Sequence, residues 1–290
     1  MQRKFDIITD SGCDMPKSYL DEKGVACVNL GFTMNNIHYA GEEGEQITAQ
    51  DFYQKLREGG MPTTYQVTAE TAKKYMLESL EKERDILVIA FSSGLSGTAD
   101  SFIVALRELS KKYRSRKIIV VDSLCASMGE GLLLDYVIAY AESGATMEQT
   151  AKYAEQLKGK ICHQFTVDNL FHLKRGGRIS SMSAIVGSIL KIKPIMKVDD
   201  NGKLVVTGKA VGRKKAIKTL VENAFASMDI QPNERIFISH GDCLEDVDYA
   251  VRLLKERLPN TPITIGYVGA VIGSHSGVGT LAIFYKGKGR

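Results

Sequence analysis

Three short apolar runs in the first half of the chain each end abruptly in a polar turn. Residues 5–9, 85–91 and 117–121 are rich in Ile, Val, Leu and Phe, and Asp, Ser, Thr or Gly follows each run. The segments between them, residues 68–84 and 99–113, repeat apolar residues at helical spacing. Short apolar strands separated by helices predict a parallel sheet covered on both faces. The carboxyl ends of such strands form the usual ligand crevice, and all three polar turns lie there.

The pattern changes after about residue 160, where hairpin signals appear. Residues 193–198 and 204–207 flank Asn201-Gly202, a pair that is typical of a hairpin turn. In chain order, the following elements are predicted as a helix at 214–228, a strand at 235–239, a helix at 245–258 and strands at 262–267 and 280–285. The sequence therefore predicts an α/β protein of two domains: residues 1–160 with a parallel sheet and residues 161–290 with a mixed sheet.

The charge and composition of the chain argue against several classes of protein. Its 38 Lys and Arg residues against 34 Asp and Glu give a net charge of +4, with no Trp, which disfavours nucleic-acid binding. The N-terminal residues do not resemble a signal peptide, and no run approaches the roughly 20 apolar residues of a transmembrane helix. Five scattered cysteines without C-x-x-C spacing predict reduced thiols in a cytoplasmic protein, and no metal site.

The turn IAFSSGLSGT, residues 89–98, can hold either a nucleophile or an anion. The chain lacks the G-x-S-x-G pattern of a hydrolase elbow and the G-x-x-x-x-G-K-[ST] pattern of a phosphate loop. Hydroxyl groups and the amides freed by glycine at the start of a helix favour an anion site. The residues concerned are Ser92, Ser93, Gly94, Ser96, Gly97 and Thr98. The alternative is local, with Ser96 or Thr98 capping the helix that follows.

Two further polar stretches lie in the second half of the chain. Residues 269–280 place His275 among glycines and serines, so that its ring can face a cleft, donate to an anion and change charge near neutrality. The alternative is a histidine that bonds a neighbouring carbonyl. Residues 165–180 begin with core-like residues and continue with Arg175 and Arg178 on either side of two glycines. These arginines can bind a phosphate or a protein surface, or form a solvated basic turn.

Seven spaced motifs together resemble the DegV family of bacterial fatty-acid-binding proteins, which includes the binding subunits of the fatty acid kinase system. In chain order they read TDSGCD, PTTYQVT, SSGLSGT, VVDSLCASMGEG, LFHLKRGGRIS, KIKPIM and GAVIGSHSGVG. The resemblance runs over residues 6–284. It implies two α/β domains with a fatty acid between them, the carboxylate in a polar cleft and the acyl chain buried, and no cofactor.

The resemblance also implies which residues hold the carboxylate. The matching positions are Thr64, Ser93, Gly94 and His275, with Ser92 and Ser96 as further candidates. Three residues depart from the family pattern at the rim of the pocket. Tyr65 and Val67 replace the serine and proline of a TSQP motif, and Val278 replaces a proline. The motifs thus indicate the class of ligand, whereas the departures leave the acyl chain length open.

Kinase-linked members of the family present the bound fatty acid to a separate ATP-dependent kinase, which forms an acyl phosphate for phospholipid synthesis. The resemblance therefore implies a long-chain fatty acid and a kinase subunit as partners. A docking patch is expected among basic residues of the second domain, namely Arg175, Arg178, Lys209 and Arg213. The alternative is a serine-dependent enzyme that acts on a small carboxylated or phosphorylated substrate, with Ser93 as nucleophile and His275 as base.

Overall fold

A computed structural model of the protein describes residues 3–41, 44–179, 191–229, 231 and 234–290. Within these ranges the strands are β1 (Phe5–Asp10), β2 (Val25–Val28), β3 (Gly31–Met34), β4 (Ile37–Ala40), β5 (Thr63–Tyr65), β6 (Asp85–Ala90), β7 (Ile118–Asp122), β8 (Ile161–Thr166), β9 (Ile192–Val198), β10 (Leu204–Val211), β11 (Ile236–His240), β12 (Ile263–Tyr267) and β13 (Leu281–Lys286). The helices are α1 (Lys17–Glu22), α2 (Ala49–Arg57), α3 (Ala69–Leu80), α4 (Thr98–Lys112), α5 (Met128–Glu142), α6 (Met147–Lys158), α7 (Phe171–Arg175), α8 (Arg213–Ser227), α9 (Leu244–Arg257) and α10 (Ala270–Ser276). Ser180, the last residue of the motif LFHLKRGGRIS, lies outside the described residues.

In the N-terminal half, β2, β1, β6 and β7 form a sheet in that order, and every neighbouring pair is parallel. Alternate residues of each strand pack into different hydrophobic cores on the two faces of the sheet. Ile7 and Ile89 pack with residues of α5 and α6, whereas Ile8 and Val88 pack with residues of α3 and α4. The predicted parallel sheet with helices on both faces is therefore confirmed. The three predicted strands are β1, β6 and β7, and the two predicted helices are α3 and α4.

A small antiparallel sheet of β4, β3 and β5, with helix α2 beside it, was not predicted from the sequence. Its aromatic core includes Phe52 and Tyr53, whose rings pack edge to face with centroids 5.0 Å apart. The Tyr53 hydroxyl donates to the carbonyl of Val268 at 2.7 Å, and Arg57 pairs with Asp242 at 2.5 Å. This sheet therefore joins the N-terminal half to the segment that leads into α10.

The C-terminal half is built on a six-stranded sheet with the order β10, β9, β8, β13, β11 and β12. Strands β11 and β12 are parallel and the other neighbouring pairs are antiparallel, so the predicted mixed sheet and the predicted β9–β10 hairpin are confirmed. Along β13, Leu281, Ile283 and Tyr285 pack with residues of α8 and α9, whereas Ala282 and Phe284 face the other way. This second face of the six-stranded sheet packs toward the N-terminal half of the chain.

Helix α5 lies between the two sheets and joins their cores. Its sequence MGEGLLLDYVIAYAE is apolar on most sides, and most of its residues are fully buried. It packs against β6 of the first sheet and against β8, β11 and β13 of the second. A helix that is apolar all round is typical of a position enclosed by protein. The proposed division between residues 160 and 161 falls at the first residue of β8 and stays a prediction.

Candidate ligand-binding site

The inner face of the six-stranded sheet forms one wall of a cavity of about 810 Å³, which both halves of the chain line. This figure includes the space at the open mouth of the cavity. Most of the lining side chains are apolar. Among them are Phe91, Leu95, Ala126, Phe165, Ile272 and Phe284. A cavity of this composition suits a ligand with a long apolar part, because each buried methylene contributes about 0.8 kcal/mol.

The polar turn after β6 is fixed by its neighbours before any ligand is considered. The carboxyl group of Asp10 accepts the amide of Phe91 at 2.8 Å. The fully buried Ser92 donates its hydroxyl to the carbonyl of Gly202 at 2.8 Å and accepts the Gly94 amide at 3.1 Å. A Cβ at Gly94 would lie 2.5 Å from the carbonyl oxygen of Asn201, so only glycine fits there. Ser92 and Gly94 therefore hold the turn against the β9–β10 hairpin.

The serines of this turn differ in their position relative to the cavity. Among the described residues that line it, the turn contributes Phe91, Leu95 and Ser96 but not Ser93. Ser93 is exposed, and its amide donates to Asp122 at 3.1 Å. The Ser96 hydroxyl accepts the Thr98 amide at 3.2 Å. The N-cap residue of α4 is Gly97 and no side chain caps it, so the alternative that Ser96 or Thr98 caps the helix is wrong. Ser96 therefore both supports the helix start and borders the cavity.

Thr64 on β5 and His275 on α10 form a hydrogen-bonded pair, although 211 residues separate them in the chain. The Thr64 hydroxyl and the Nε2 atom of His275 are 2.8 Å apart, and His275 lines the cavity. The Nδ1 atom of His275 is buried and has no hydrogen-bond partner among the described residues. A Cβ at Gly176 would lie 2.0 Å from that atom, so the glycine allows α7 and the ring to approach closely.

His275 is neutral at physiological pH. Burial, together with the smaller effects of the nearby charges of Arg178 and Arg175, lowers its pKa to about 4. The expectation that this ring changes charge near neutrality is therefore wrong, because the sequence did not reveal the extent of burial or the two arginines. A neutral imidazole beside a hydroxyl can still donate one hydrogen bond to an anion.

Arg175 and Arg178 connect the segment after β8 to other parts of the chain. Arg175 donates to the carbonyls of Pro62 at 2.9 Å and Ser274 at 3.1 Å. Arg178 donates to the carbonyl of Leu95 at 3.0 Å and also lines the cavity, where burial lowers its pKa. Sequence reasoning assigned both arginines to partner docking and did not place Arg178 at the cavity. The Gly-Gly pair before Arg178 is the signal for the tight turn that brings it there.

The two remaining docking candidates lie on β10 and at the start of α8. Lys209 is exposed on β10. Arg213 is partly buried, pairs with Asp246 at 2.8 Å and donates to the carbonyl of Gly279 at 2.5 Å. Arg213 therefore links α8 to the loop before β13, and its docking role stays a prediction.

Other chemical functions find little support in the described part of the chain. Across those residues, no cluster of three or more His, Cys, Asp or Glu side chains is arranged to hold a metal ion, and no helix is long and apolar enough to cross a membrane. The Nε2 atom of His275, the base proposed in the enzyme alternative, bonds Thr64, and the proposed nucleophile Ser93 lies outside the cavity lining. The geometry therefore favours binding of an anion over serine catalysis.

The fold and the cavity define a two-domain α/β protein with a mostly apolar cavity between its sheets. The chain belongs to the DegV family, since the family model described as an uncharacterised protein of the DegV family matches residues 4–288. The resemblance drawn from the seven motifs is thereby confirmed. A DegV domain-containing protein of Clostridium perfringens is 42% identical over 286 residues, which cover 98% of each chain.

Solved structures of the family have the same fold. A DegV family protein from Thermus thermophilus, described as fatty acid binding, superposes with a TM-score of 0.88 at 29% identity, over 99% of this chain and 100% of that chain. DegV of Bacillus subtilis, described as a fatty acid binding protein, gives a TM-score of 0.82 at 29% identity over 99% and 100% of the two chains.

Proposed function

We propose that this protein binds a long-chain fatty acid, with the carboxylate at the Thr64–His275 pair and the acyl chain in the cavity. The observation that carries the proposal is an apolar cavity of about 810 Å³ with a neutral histidine, a serine and an arginine in its wall. Fatty acid binding by the Thermus thermophilus and Bacillus subtilis relatives supports it. Binding of the fatty acid in this way requires no cofactor.

The energetics of such a complex divide between the two ends of the ligand. Burying roughly 15 methylenes contributes about 12 kcal/mol before the costs of association and ordering are subtracted. The carboxylate loses its hydration and requires donors in return. His275 and Arg178 line the cavity, and Thr64 bonds the same ring. Affinity therefore comes mainly from the tail, and the donors set the orientation.

The serine donor in this proposal is Ser96. Family resemblance implies Ser93, with Gly94 and Ser92 nearby, but Ser96 is the hydroxyl of the turn that borders the cavity. Ser92 and Gly94 already bond each other, and Ser92 also bonds the hairpin carbonyl. Ser93 as a carboxylate ligand requires the turn to rearrange when the ligand binds, and the exposed position of Ser93 would allow this.

The test is mass spectrometry of protein purified without added lipid, under native and then denaturing conditions. We expect a co-purified acyl carboxylate that is released on denaturation. A protein that carries no such ligand and also fails to bind added fatty acids in a titration would contradict the proposal. Covalent labelling of Ser93 by a serine-directed phosphonate at one equivalent would instead favour the enzyme alternative.

We further propose that the protein is a cytoplasmic, non-catalytic subunit that presents the fatty acid to a separate kinase. The missing phosphate loop supports a division of labour between two subunits, and the five free cysteines support a reducing compartment. Lys209 is the main exposed basic candidate for docking. Arg175 is exposed as well, but its guanidinium donates to the carbonyls of Pro62 and Ser274. Arg213 is a weaker candidate because its guanidinium is engaged with Asp246.

The docking proposal predicts that Lys209→Glu slows acyl phosphate formation, more strongly at low salt, and leaves fatty acid binding unchanged. The matched control is Lys111→Glu, at an exposed lysine of α4 in the other half of the chain. Both variants are assayed for fatty acid binding and for phosphorylation with the kinase subunit of the same organism. Equal phosphorylation by both variants would assign Lys209 to an ordinary solvated surface.

A further inference from the structure

A second cleft, with both polar and apolar groups in its lining, adjoins one wall of the cavity proposed to hold the acyl chain. It has a volume of about 640 Å³, and its lining includes Gln164, Lys197, Asn223 and Arg290. Two residues, His163 and Val198, line both the cleft and the acyl cavity. These two side chains therefore form a partition between an apolar space and a charged one.

Strand register places this partition away from the carboxylate end of the cavity. On the paired strands β8 and β13, Thr166 lies opposite Leu281, and His163 lies opposite Phe284. Leu281 is six residues after His275, so the β13 end near Leu281 is the end closer to that ring. His163 and Phe284 lie three residues further along the strands, at ~3.3 Å per residue.

The His163 ring is held rigidly. Its Nε2 atom accepts the amide of Ala126 at 3.2 Å, and its Nδ1 atom lies 3.1 Å from the carbonyl of Ile161, to which it donates. The ring stands edge to face against Phe284 at 5.2 Å. A Cβ at Gly129 would come 2.2 Å from Nε2, so the glycine of α5 leaves room for the ring. A side chain fixed by these contacts is a permanent part of the cavity wall and does not move aside to admit a ligand.

The surroundings beyond the partition do not suit an acyl chain. Lys197 and Arg290 bring charged groups to the cleft, and Arg290 donates to the carbonyls of Ile161 and Leu124 at 3.0 and 2.7 Å. A methyl end that entered this cleft would lie beside these charged groups and displace their water, so it would gain less from burial than in the apolar cavity. The partition therefore marks the point at which further lengthening of the ligand stops contributing to affinity.

We propose that His163, together with Val198, sets the upper limit of the acyl chain length that this protein accepts. The inference rests on the proposed function, because it concerns the same cavity and ligand class. It assigns the length limit to a ring on β8 and a side chain at the end of β9. The residues around the carboxylate then do not determine which chain lengths the protein accepts.

The experiment measures the affinity of the protein for a series of saturated fatty acids of increasing length, from laurate to behenate. Wild-type affinity should rise about fourfold with each added methylene and then fall at a limiting length. His163→Asn keeps a donor for the Ile161 carbonyl but removes the outer part of the ring. We expect the first acid beyond the wild-type limit to gain about tenfold in affinity for this variant.

Three further variants make the test decisive. Val198→Ala thins the partition without touching the histidine and should move the limit in the same direction by a smaller amount. His163→Gln fills the space again and retains an acceptor for the Ala126 amide, so it should restore the wild-type limit. Asn223→Ala changes only the cleft side and should not alter the limit. Circular dichroism and urea unfolding establish that each variant is folded.

The outcomes separate this inference from the proposed function. If the folded wild type binds none of the acids, the proposed function fails and the length limit fails with it. If the wild type binds the series with a clear limit and neither His163→Asn nor Val198→Ala moves it, the partition is refuted while fatty acid binding stands. A longer limit in both His163→Asn and Val198→Ala, with the wild-type limit in His163→Gln, supports the partition.

Discussion

Two histidines line the same cavity, and the structure holds them in opposite ways. Both ring nitrogens of His163 are paired with main-chain groups. His275 has the Thr64 hydroxyl at Nε2, and its buried Nδ1 atom lacks a hydrogen-bond partner among the described residues. Burial lowers the pKa of both rings, so both are neutral. They therefore differ in hydrogen bonding and not in charge.

This difference is the basis on which we assign a structural role to His163 and propose a binding role for His275. Buried polar groups in folded proteins are nearly always paired, and an exception calls for a physical reason. Both ring nitrogens of His163 have partners in the protein, so this ring needs no ligand to complete its hydrogen bonds. His275 retains unused hydrogen-bonding capacity beside a threonine and an arginine, in a cavity that is mostly apolar. In the proposed function, the carboxylate of the fatty acid is the partner of this ring.

The largest expected effect is on stability. His163→Ala removes two hydrogen bonds and leaves a void in the wall, so we expect the free energy of unfolding to fall by about 3 kcal/mol. His275→Ala removes one bond to a flexible hydroxyl and should lower it by less than about 1 kcal/mol. Urea denaturation of the two ligand-free variants at neutral pH compares them directly. Equal losses would mean that both rings are structural.

Much of the fold was predictable because the periodicity of apolar residues reports which faces of an element are buried. The runs that became β1, β6 and β7 are mostly apolar in successive residues, as the two covered faces of a parallel strand require. The small sheet of β3, β4 and β5 escaped prediction because its strands are short and its polar side chains interrupt the alternation. Helix α5 was also overlooked, although its apolar residues Leu132–Leu134 and Tyr136–Ile138, interrupted only by Asp135, are typical of an enclosed helix.

The second prediction concerns the carboxylate. Thr64→Val keeps the shape of the side chain but removes the hydroxyl, and combined with His275→Ala it should weaken fatty acid binding by about 30-fold. A fatty alcohol of the same length carries no charge and should lose about threefold or less. The matched control is Thr63→Val, at the neighbouring exposed position of β5. Titration calorimetry that gives equal losses for acid and alcohol would remove the case for a carboxylate site here.

The candidate site was only partly predictable, because hydrogen bonds within a turn decide which hydroxyls remain free. The motif SSGLSGT offers three serines that composition alone cannot rank. In the fold, the Ser92 hydroxyl bonds a carbonyl of the β9–β10 hairpin, Ser93 is exposed to solvent, and Ser96 borders the cavity. The place of Arg178 depends on a contact with Leu95, 83 residues away, which local sequence does not encode.

The third prediction compares these serines. Ser96→Ala should weaken fatty acid binding by about tenfold, because it removes a hydroxyl at the cavity wall. Ser93→Ala should change it by about twofold at most. Since Ser96 also bonds the Thr98 amide, the stability of each variant is measured alongside the affinity. A larger loss of affinity for Ser93→Ala would show that the turn rearranges and that Ser93 is the donor, as the family motif implies.

The smallest effect tests the neutral state of His275. Its pKa is lowered from 6.5 to about 4, first by burial and then by Arg178 and Arg175. As pH falls through that window, the unfolded chain binds a proton that the folded chain does not, so this ring reduces stability there. Above about pH 6.5 it contributes no pH dependence.

Replacing the ring with a side chain that does not titrate should therefore stabilise the protein only in acid. Relative to wild type, His275→Gln should gain about 1 kcal/mol or less as pH falls from 6.5 to 4, because the ring is partly exposed and solvent weakens the effect. His163 contributes in the same direction in both proteins and cancels from the difference. His38→Gln, at an exposed ring on β4, is the control. If the urea midpoints of His275→Gln stay parallel to those of wild type across this range, His275 is charged in the folded protein at acid pH. The two rings would then differ in charge as well as in hydrogen bonding.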